Sequence, residues 1–198
     1  GYKEFREFAI YEKKKADRNP KELFIEKYGM DEYISLLKKD IDALYSSISL
    51  EQVRKVAHAI YKFEKVAAFG SLYSQTAAMD LAFQMGREGK YIRTYIDDLK
   101  HEKYFREADE DTLIIVFSNS GQYISSERMK RQDFIKSTKG KVALITSNEA
   151  AAAHPIVTYP LVYKFSSKTD NNVVLSRVII TMIQNEYNKI LENEAGLV

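Results

Sequence analysis

Two apolar runs without polar alternation stand out in the hydrophobic pattern of this chain. Residues 66–69 end at a polar cluster over 70–74, and residues 113–117 end at another over 118–122. A strand that is apolar at every position is typical of a parallel sheet that is covered on both faces. Apolar residues at helical spacing follow each cluster. The pattern therefore predicts two buried strands, each leading through a polar turn into a helix.

Shorter patterns fill the rest of the chain. Further strands are predicted at residues 91–96, 141–145 and 157–165, the last at a sheet edge because Pro160 cannot join a central ladder. Helices are predicted at residues 21–28, from Asp31, from Ser49 with Gln52 completing a capping box, at residues 76–85, from Ser125 or Ser126 to just before Gly140, at residues 150–153, and from Asp170. Alternating strands and helices predict an α/β fold, a three-layer α/β/α domain around a doubly wound, five-stranded parallel sheet, with extra N-terminal helices.

The composition fits a globular domain and excludes several other classes of protein. The 198 residues suffice for one domain with a buried core and a short extension. A formal net charge of +2 is too small to indicate that this chain binds nucleic acid by itself. The absence of cysteine excludes disulfides, thiolate nucleophiles and cysteine-based metal sites, and it fits a cytoplasmic protein. No apolar run in the sequence reaches the length of a membrane span.

The two polar clusters form a candidate ligand site. Ligands of doubly wound sheets bind beyond the carboxyl ends of the strands, where the strand order reverses. If the strand order is 2-1-3-4-5, the first and third strands flank that point, and the clusters that follow them converge on one crevice. Hydroxyl groups, backbone N–H groups and the start of a helix favour an anion. We therefore expect a dianionic phosphate rather than an apolar ligand.

The three histidines give no metal site. His58 falls within a predicted helix as a packing or surface residue, and His101 lies in a charged segment where we expect it to be solvated. His154 follows the fourth strand at the ligand-binding end of the sheet, so it is a candidate general acid or base. No ligand spacing suits a metal ion. We expect neither a metal nor a cofactor.

The sequence around both clusters resembles the SIS (sugar isomerase) domain. Ser118-Asn119-Ser120-Gly121, between an apolar strand and a helix, is similar to the Ser-x-Ser-Gly signature of that family, and Gly70-Ser71-Leu72-Tyr73-Ser74 takes the place of its Gly-x-Gly-x-Ser loop. Residues 141–146 match the strand that follows. The resemblance covers residues 31–192, and residues 31–70 resemble in particular the SIS domains of RpiR-type bacterial transcriptional regulators.

This resemblance implies a domain organisation and a function. In RpiR-type regulators a helix-turn-helix domain comes first, and residues 1–8 resemble its end. Residues 1–30 would then be the end of that DNA-binding domain plus a linker, and residues 31–198 a phosphosugar-sensing SIS domain. The protein would be a cytoplasmic homodimer or higher oligomer without enzymatic activity or membrane contact, and it would touch DNA only through the missing N-terminal domain.

The resemblance also assigns the site. The phosphate-contacting positions of the family fall on Ser74, Ser118 and Ser120, with backbone groups near Gly121. The full set of candidate ligand-binding residues is Gly70, Ser71, Ser74, Ser118, Asn119, Ser120, Gly121, Gln122 and Tyr123. Two residues depart from the family pattern: Leu72 replaces the second glycine of the first loop, and Tyr123 replaces a small hydroxyl residue. We expect these larger side chains to alter the phosphate pocket, change its ligand or remove it.

Two other functions fit the same fold. A phosphosugar isomerase moves a proton between adjacent carbons and needs a placed carboxylate or histidine, for which Glu127, Glu149 and His154 are the candidates. A degenerate SIS domain that serves only for dimerisation is the second alternative, and Leu72 and Tyr123 are the residues that suggest it.

Overall fold

The computed structural model describes residues 29–125, 132–165 and 172–196. Several sequence predictions lie outside these ranges, namely the helix at residues 21–28, the segment 1–8, the caps at Ser126 and Asp170, and the candidate base Glu127. Within the described ranges no helix is long and apolar enough to cross a bilayer.

From the third element onward, each strand is followed by one or two helices. The N-terminal helices are α1 (Met30–Ser47) and α2 (Leu50–Lys62), and the elements that follow are β1 (Lys65–Gly70), α3 (Tyr73–Arg87), α4 (Asp98–Glu107), β2 (Thr112–Phe117), α5 (Gln122–Ser125), α6 (Gln132–Ser137), β3 (Lys141–Thr146), α7 (Glu149–Ala152), β4 (Val157–Val162) and α8 (Asn172–Glu194). Ser125 ends α5 and does not cap a helix, so the prediction of a cap at Ser125 is wrong, while the alternative cap at Ser126 lies outside the described residues.

The four strands form one parallel sheet in the order β1-β2-β3-β4. The predicted edge position of the last strand is confirmed. The predicted strand at residues 91–96 is wrong: only Arg93 forms a bridge, with Ala67, through the hydrogen bonds Ala68 N to Arg93 O (2.8 Å) and Arg93 N to Val66 O (2.9 Å). This bridge lies on the edge of β1 that faces away from β2. Tyr91 and Ile96 stay exposed, so the segment buries too little apolar surface to extend the pairing.

Helices cover both faces of the sheet, as the continuous apolar strands predict. Alternate residues of the strands pack to opposite sides, Ala68 and Ile115 into one core and Ala67 and Ile114 into the other. The first core is closed by α2, α3 and α8 and the second by α4 to α7. After β1 the chain first forms the Arg93 bridge on one side of that strand and then continues to β2 on its other side. The strand order therefore reverses at β1.

The predicted capping box at the start of α2 is half formed. The Ser49 hydroxyl accepts a hydrogen bond from Gln52 N at 3.4 Å, as predicted. The Gln52 side chain instead accepts a hydrogen bond from Val162 N at 3.0 Å. Because Val162 ends the edge strand, Gln52 fastens α2 to the carboxyl end of β4 rather than to its own cap.

Candidate functional site

The first candidate loop packs α3 directly against the end of β1. A Cβ atom at Gly70 would lie 2.4 Å from the backbone carbonyl carbon and oxygen of Ser74, so only glycine fits there. The amide of Gly70 donates to Oε1 of the buried Gln75 at 3.1 Å, and Gln75 Nε2 donates to Thr94 Oγ1 at 2.9 Å. These bonds fix the turn that presents the start of α3 at the carboxyl end of the sheet.

Leu72 has a backbone conformation that favours glycine. Its φ of 53° and ψ of −122° lie in a region that residues other than glycine rarely occupy. Such a conformation costs about 1–3 kcal/mol. The side chain is 56% exposed, so little of that cost is recovered by burial. Leu72 therefore strains the first candidate loop.

The second candidate loop is a tight turn whose hydroxyl groups cap α5. Ser118 Oγ accepts a hydrogen bond from Tyr123 N at 3.2 Å, and the exposed Ser120 Oγ accepts one from Gln122 N at 3.4 Å. Gly121 has a φ of +75°, and a Cβ atom there would lie 2.3 Å from Cβ of Ala151. Glycine is needed at this position both for the turn and for its contact with α7.

The loop after β3 holds this turn in place. The carbonyl oxygen of Asn119 accepts hydrogen bonds from Ser147 N (3.0 Å), Ser147 Oγ (2.9 Å) and Thr146 Oγ1 (3.1 Å). Asn148 Nδ2 donates to the carbonyl oxygen of Ser120 at 2.9 Å. The turn is therefore fixed before any ligand arrives, which is the property that a selective binding site requires.

The two loops meet at one crevice, as the strand-order argument predicts. Ser74 from the first loop and Ser118 and Asn119 from the second line it, and the remaining described lining residues are Tyr73, Phe117, Ile145, Tyr163 and Ser176. The Ser74 hydroxyl makes no hydrogen bond to any residue that the structure describes. The crevice holds only about 10 Å³, and one water molecule needs about 10–15 Å³.

Tyr163 lines the crevice and is bonded to the second loop. Its side chain is 2% exposed, and its hydroxyl donates to Asn119 Oδ1 at 3.1 Å. Burial raises the pKa of the Tyr163 hydroxyl well above its ordinary value, so the group stays neutral and remains a donor. Tyr163 also lines a groove of about 660 Å³ on its other side, together with Ser46, Ser49, Gln52 and Lys164. Tyr163 and Ser176 line the crevice but were not predicted from the sequence, since no motif surrounds them.

Tyr123 packs into the core on the opposite face of the sheet from the apolar residues that line the crevice. Its hydroxyl is 3.0 Å from Nδ1 of His101. Nε2 of His101 faces the carbonyl oxygen of Tyr95 at 2.5 Å. Because a carbonyl can only accept, Nε2 carries the ring proton and Nδ1 accepts from Tyr123 in the neutral ring. His101, predicted to be solvated, is 1% exposed and stacks on Phe69.

The remaining candidates do not reach the crevice. Gly70, Ser71, Ser120, Gly121 and Gln122 shape the loops without lining it, although Ser71 Oγ is buried and has no partner among the described residues. Nδ1 of His154 accepts from Ile156 N at 3.3 Å, and Glu149 forms an ion pair with Lys164 at 3.0 Å. No carboxylate or histidine stands among the described residues that line the crevice. In the same part of the chain, no group of three acidic or histidine side chains could hold a metal ion.

No family model and no curated protein sequence matches the chain. Solved structures do match it in fold. The RpiR transcription factor of Sphaerobacter thermophilus (sugar isomerase domain) is 12% identical with a TM-score of 0.60 over 84% of this chain and 98% of that one. A proposed phosphosugar isomerase of capsule formation from Bacteroides fragilis is 18% identical with a TM-score of 0.63, covering 83% and 92% of the two chains.

A third similar structure contains a ligand. It is the NanR protein of Vibrio vulnificus complexed with ManNAc-6P (N-acetylmannosamine 6-phosphate), 16% identical with a TM-score of 0.64 over 82% of this chain and 64% of that one. The fold described here, a four-stranded parallel sheet between two layers of helices, is thus the fold of SIS domains. Its neighbours include domains of transcriptional regulators and sugar-phosphate isomerases.

Proposed function

We propose that this domain is the phosphosugar-binding effector domain of an RpiR-type transcriptional regulator and has no enzymatic activity. The observation that carries the proposal is the crevice in which Ser74 from one loop meets Ser118 and Asn119 from the other. Hydroxyl groups at a helix start suit a phosphate. An isomerase requires in addition an acid or base at the substrate, and the described lining offers neither a carboxylate nor a histidine.

The regulator proposal includes the rest of the chain. Residues 1–30 connect the SIS domain to a helix-turn-helix domain, and residues 31–198 bind the effector in a cytoplasmic homodimer. Binding of a sugar phosphate shifts the DNA affinity of the helix-turn-helix domain through the dimer, so the coupling is between two distinct sites. The bound ManNAc-6P of the NanR neighbour supports a sugar phosphate as the class of effector.

A phosphate group needs more room than the crevice has. With about 10 Å³ between the loops, binding requires Tyr163 to move away from Asn119. The Ser74 hydroxyl, which has no partner among the described residues, is then available to the phosphate at once. Ser118 Oγ accepts from Tyr123 N and can donate its own proton to the ligand without giving up that bond.

Isothermal titration calorimetry with N-acetylmannosamine 6-phosphate, arabinose 5-phosphate and glucosamine 6-phosphate tests the proposal, with the unphosphorylated sugars as controls. We expect saturable binding of at least one phosphate and none of its parent sugar. Ser74→Ala should weaken that binding about 10- to 100-fold, since a hydrogen bond to a charged group contributes about 1.5–3 kcal/mol. Thr181→Ala, which removes an exposed hydroxyl of α8 bonded only to its own helix, should leave it unchanged.

A domain that serves only for dimerisation is the second candidate, and the crevice filled by Tyr163 favours it. The same titrations separate the two functions, because a dimerisation module binds none of the phosphates. A second measurement addresses catalysis. Incubation of the protein with the three phosphates should leave their NMR spectra unchanged, and conversion of an aldose phosphate to its ketose would show that the protein is an isomerase instead.

A further inference from the structure

His101 is a buried polar residue that packs against a core of apolar side chains. It is 1% exposed and stacks on Phe69, with the two ring centroids 4.4 Å apart. Burying a polar ring costs free energy unless its nitrogens find hydrogen-bond partners. Both nitrogens do, since Nδ1 lies 3.0 Å from the Tyr123 hydroxyl and Nε2 lies 2.5 Å from the carbonyl oxygen of Tyr95. A buried polar contact of this kind specifies one arrangement of the groups that it joins.

One end of this contact is fixed to the sheet. Phe69 belongs to β1, and Tyr95 comes two residues after Arg93, whose backbone pairs with the same strand. The His101 ring is therefore held against β1 by its stacking contact and by the hydrogen bond of Nε2. Because Phe69 directly precedes Gly70, the ring contacts the strand where the first candidate loop begins.

The other end of the contact holds the second candidate loop. Tyr123 belongs to α5, which has only four residues, and so short a helix is not stable by itself. Its orientation must therefore come from contacts with neighbouring elements. The Tyr123 side chain is 6% exposed and reaches His101, while its backbone N–H donates to Ser118 Oγ at 3.2 Å. A residue anchored in the core thus orients a hydroxyl group of a residue that lines the crevice.

The contact with His101 complements the bonds from the loop after β3. The second candidate loop follows β2, which lies between β1 and β3 in the sheet. On the β3 side, Ser147 and Asn148 bond to the carbonyl oxygens of Asn119 and Ser120. On the β1 side, His101 contacts Tyr123. The turn is therefore restrained from both neighbouring strands.

We propose that His101 is a positioning residue. Through Tyr123 it fixes the second candidate loop, and with it the direction of the Ser118 hydroxyl, relative to β1 and the first loop. It acts from a distance, because its partners Phe69 and Tyr123 pack into the core on the opposite face of the sheet from the apolar residues that line the crevice. The identity of the ligand depends on the proposed function, whereas the positioning is a property of the chain without a ligand.

Native-state hydrogen exchange, measured by NMR on the full 198-residue chain, tests the positioning without a ligand. Tyr123→Phe removes the hydroxyl and keeps the ring in the core. The amides of Gly121, Tyr123 and Ile124, which are bonded within this turn, should then exchange about 5- to 10-fold faster, the factor that corresponds to one net hydrogen bond.

Ile60→Val is the matched control, because it removes one buried methyl group from the other core. It should speed the exchange of β3 amides through global unfolding and leave the three amides of the turn unchanged. Unchanged amides of the turn in Tyr123→Phe overturn the proposal.

Two variants of His101 show whether the hydrogen bonds or the bulk of the ring are responsible. His101→Leu fills space without a polar atom, whereas the side-chain amide that His101→Gln introduces can accept from the Tyr123 hydroxyl and donate to the Tyr95 carbonyl. We expect fast exchange of the turn in His101→Leu and exchange closer to wild type in His101→Gln. Equal exchange in the two variants overturns the proposal, and Tyr123→Phe decides alone if His101→Leu does not fold.

Titration with N-acetylmannosamine 6-phosphate, arabinose 5-phosphate and glucosamine 6-phosphate measures the consequence for the site. Tyr123→Phe should raise the dissociation constant about 3- to 10-fold, since a misdirected Ser118 hydroxyl makes a weaker hydrogen bond to the phosphate. Ile60→Val should leave it unchanged. Binding by Tyr123→Phe that is as tight as that of the wild type overturns the proposal. If the wild type binds none of the three, the proposed function fails, and hydrogen exchange still decides the role of His101.

Discussion

Tyr163→Phe removes a hydroxyl that ties the end of the edge strand to the second candidate loop. In the wild type this group donates to Asn119 Oδ1 at 3.1 Å, and the ring around it separates a crevice of about 10 Å³ from a groove of about 660 Å³. The substitution leaves the ring in place. It therefore weakens the bond that keeps the crevice narrow without creating a cavity in the core.

The expected changes in stability and in affinity have opposite signs. A hydrogen bond of this kind contributes about 1 kcal/mol net to the free energy of unfolding, so the melting temperature should fall by about 2–4 °C for a domain of this size. In the variant, the free energy of this hydrogen bond no longer opposes the widening of the crevice. If the ligand binds only the widened form, its apparent dissociation constant should fall by up to about 5-fold, because 1.4 kcal/mol corresponds to a factor of ten.

Differential scanning calorimetry and titration with N-acetylmannosamine 6-phosphate measure the two effects on the same sample. Tyr159→Phe is the control, because Tyr159 lies four residues earlier and its described contact is an edge-on packing of its ring against Phe63. It should change neither quantity. A Tyr163→Phe variant that is less stable and binds more weakly would refute the reasoning, since the hydroxyl would then be a ligand contact and not a restraint.

Two further predictions concern the frame of the site. Gly121→Ala should lower the free energy of urea unfolding by about 2–4 kcal/mol, because Gly121 has a positive φ and an added Cβ atom would overlap Ala151. Gly86→Ala should raise the free energy of unfolding by about 0.5–1 kcal/mol, because a Cβ atom there meets nothing within 4 Å. Equal effects of the two substitutions would contradict the geometry. Hydrogen bonds first from Lys65 and then from Thr112 lower the pKa of Asp109 to about 2. A carboxyl with a lowered pKa stabilises the fold above its ordinary pKa of 3.8 and loses that effect as the pH falls to about 2. Thermal unfolding should therefore show wild type more stable than Asp109→Asn at pH 7 and equal to it below pH 2, and a difference that is constant with pH would be contrary to this assignment.

The sheet could be predicted from the sequence because its strands are apolar at every position. The predicted runs at residues 66–69 and 141–145 differ from the observed β1 and β3 by no more than one residue at either end. The segment at residues 91–96 looked similar but pairs only at Arg93. Its burial differs: Ile92 is the one apolar residue of the segment that enters the core. Local sequence indicates strand propensity but not how much neighbouring surface covers the strand.

The start of α3 shows that a backbone conformation can set a helix boundary that the sequence pattern does not indicate. The helix was predicted from residue 76, because the apolar residues at helical spacing begin just after that position. It begins at Tyr73, since Leu72 turns the chain with a positive φ at the position of the cap. The strand-order rule, by contrast, brought Ser74 and Ser118 correctly to one crevice, because it depends on topology alone and not on the conformation of a single residue.

The sequence singled out Leu72 and Tyr123 as the residues that would alter the crevice, but the structure draws attention to a different residue. Leu72 is exposed in a strained conformation and Tyr123 packs against His101 on the far face of the sheet, so neither side chain lines the crevice. Tyr163, which follows the edge strand without any motif, does line the crevice and donates a hydrogen bond to Asn119 within it. The two residues that the sequence singled out therefore do not account for the narrowness of the crevice, whereas the contact between Tyr163 and Asn119 holds two of its lining residues together.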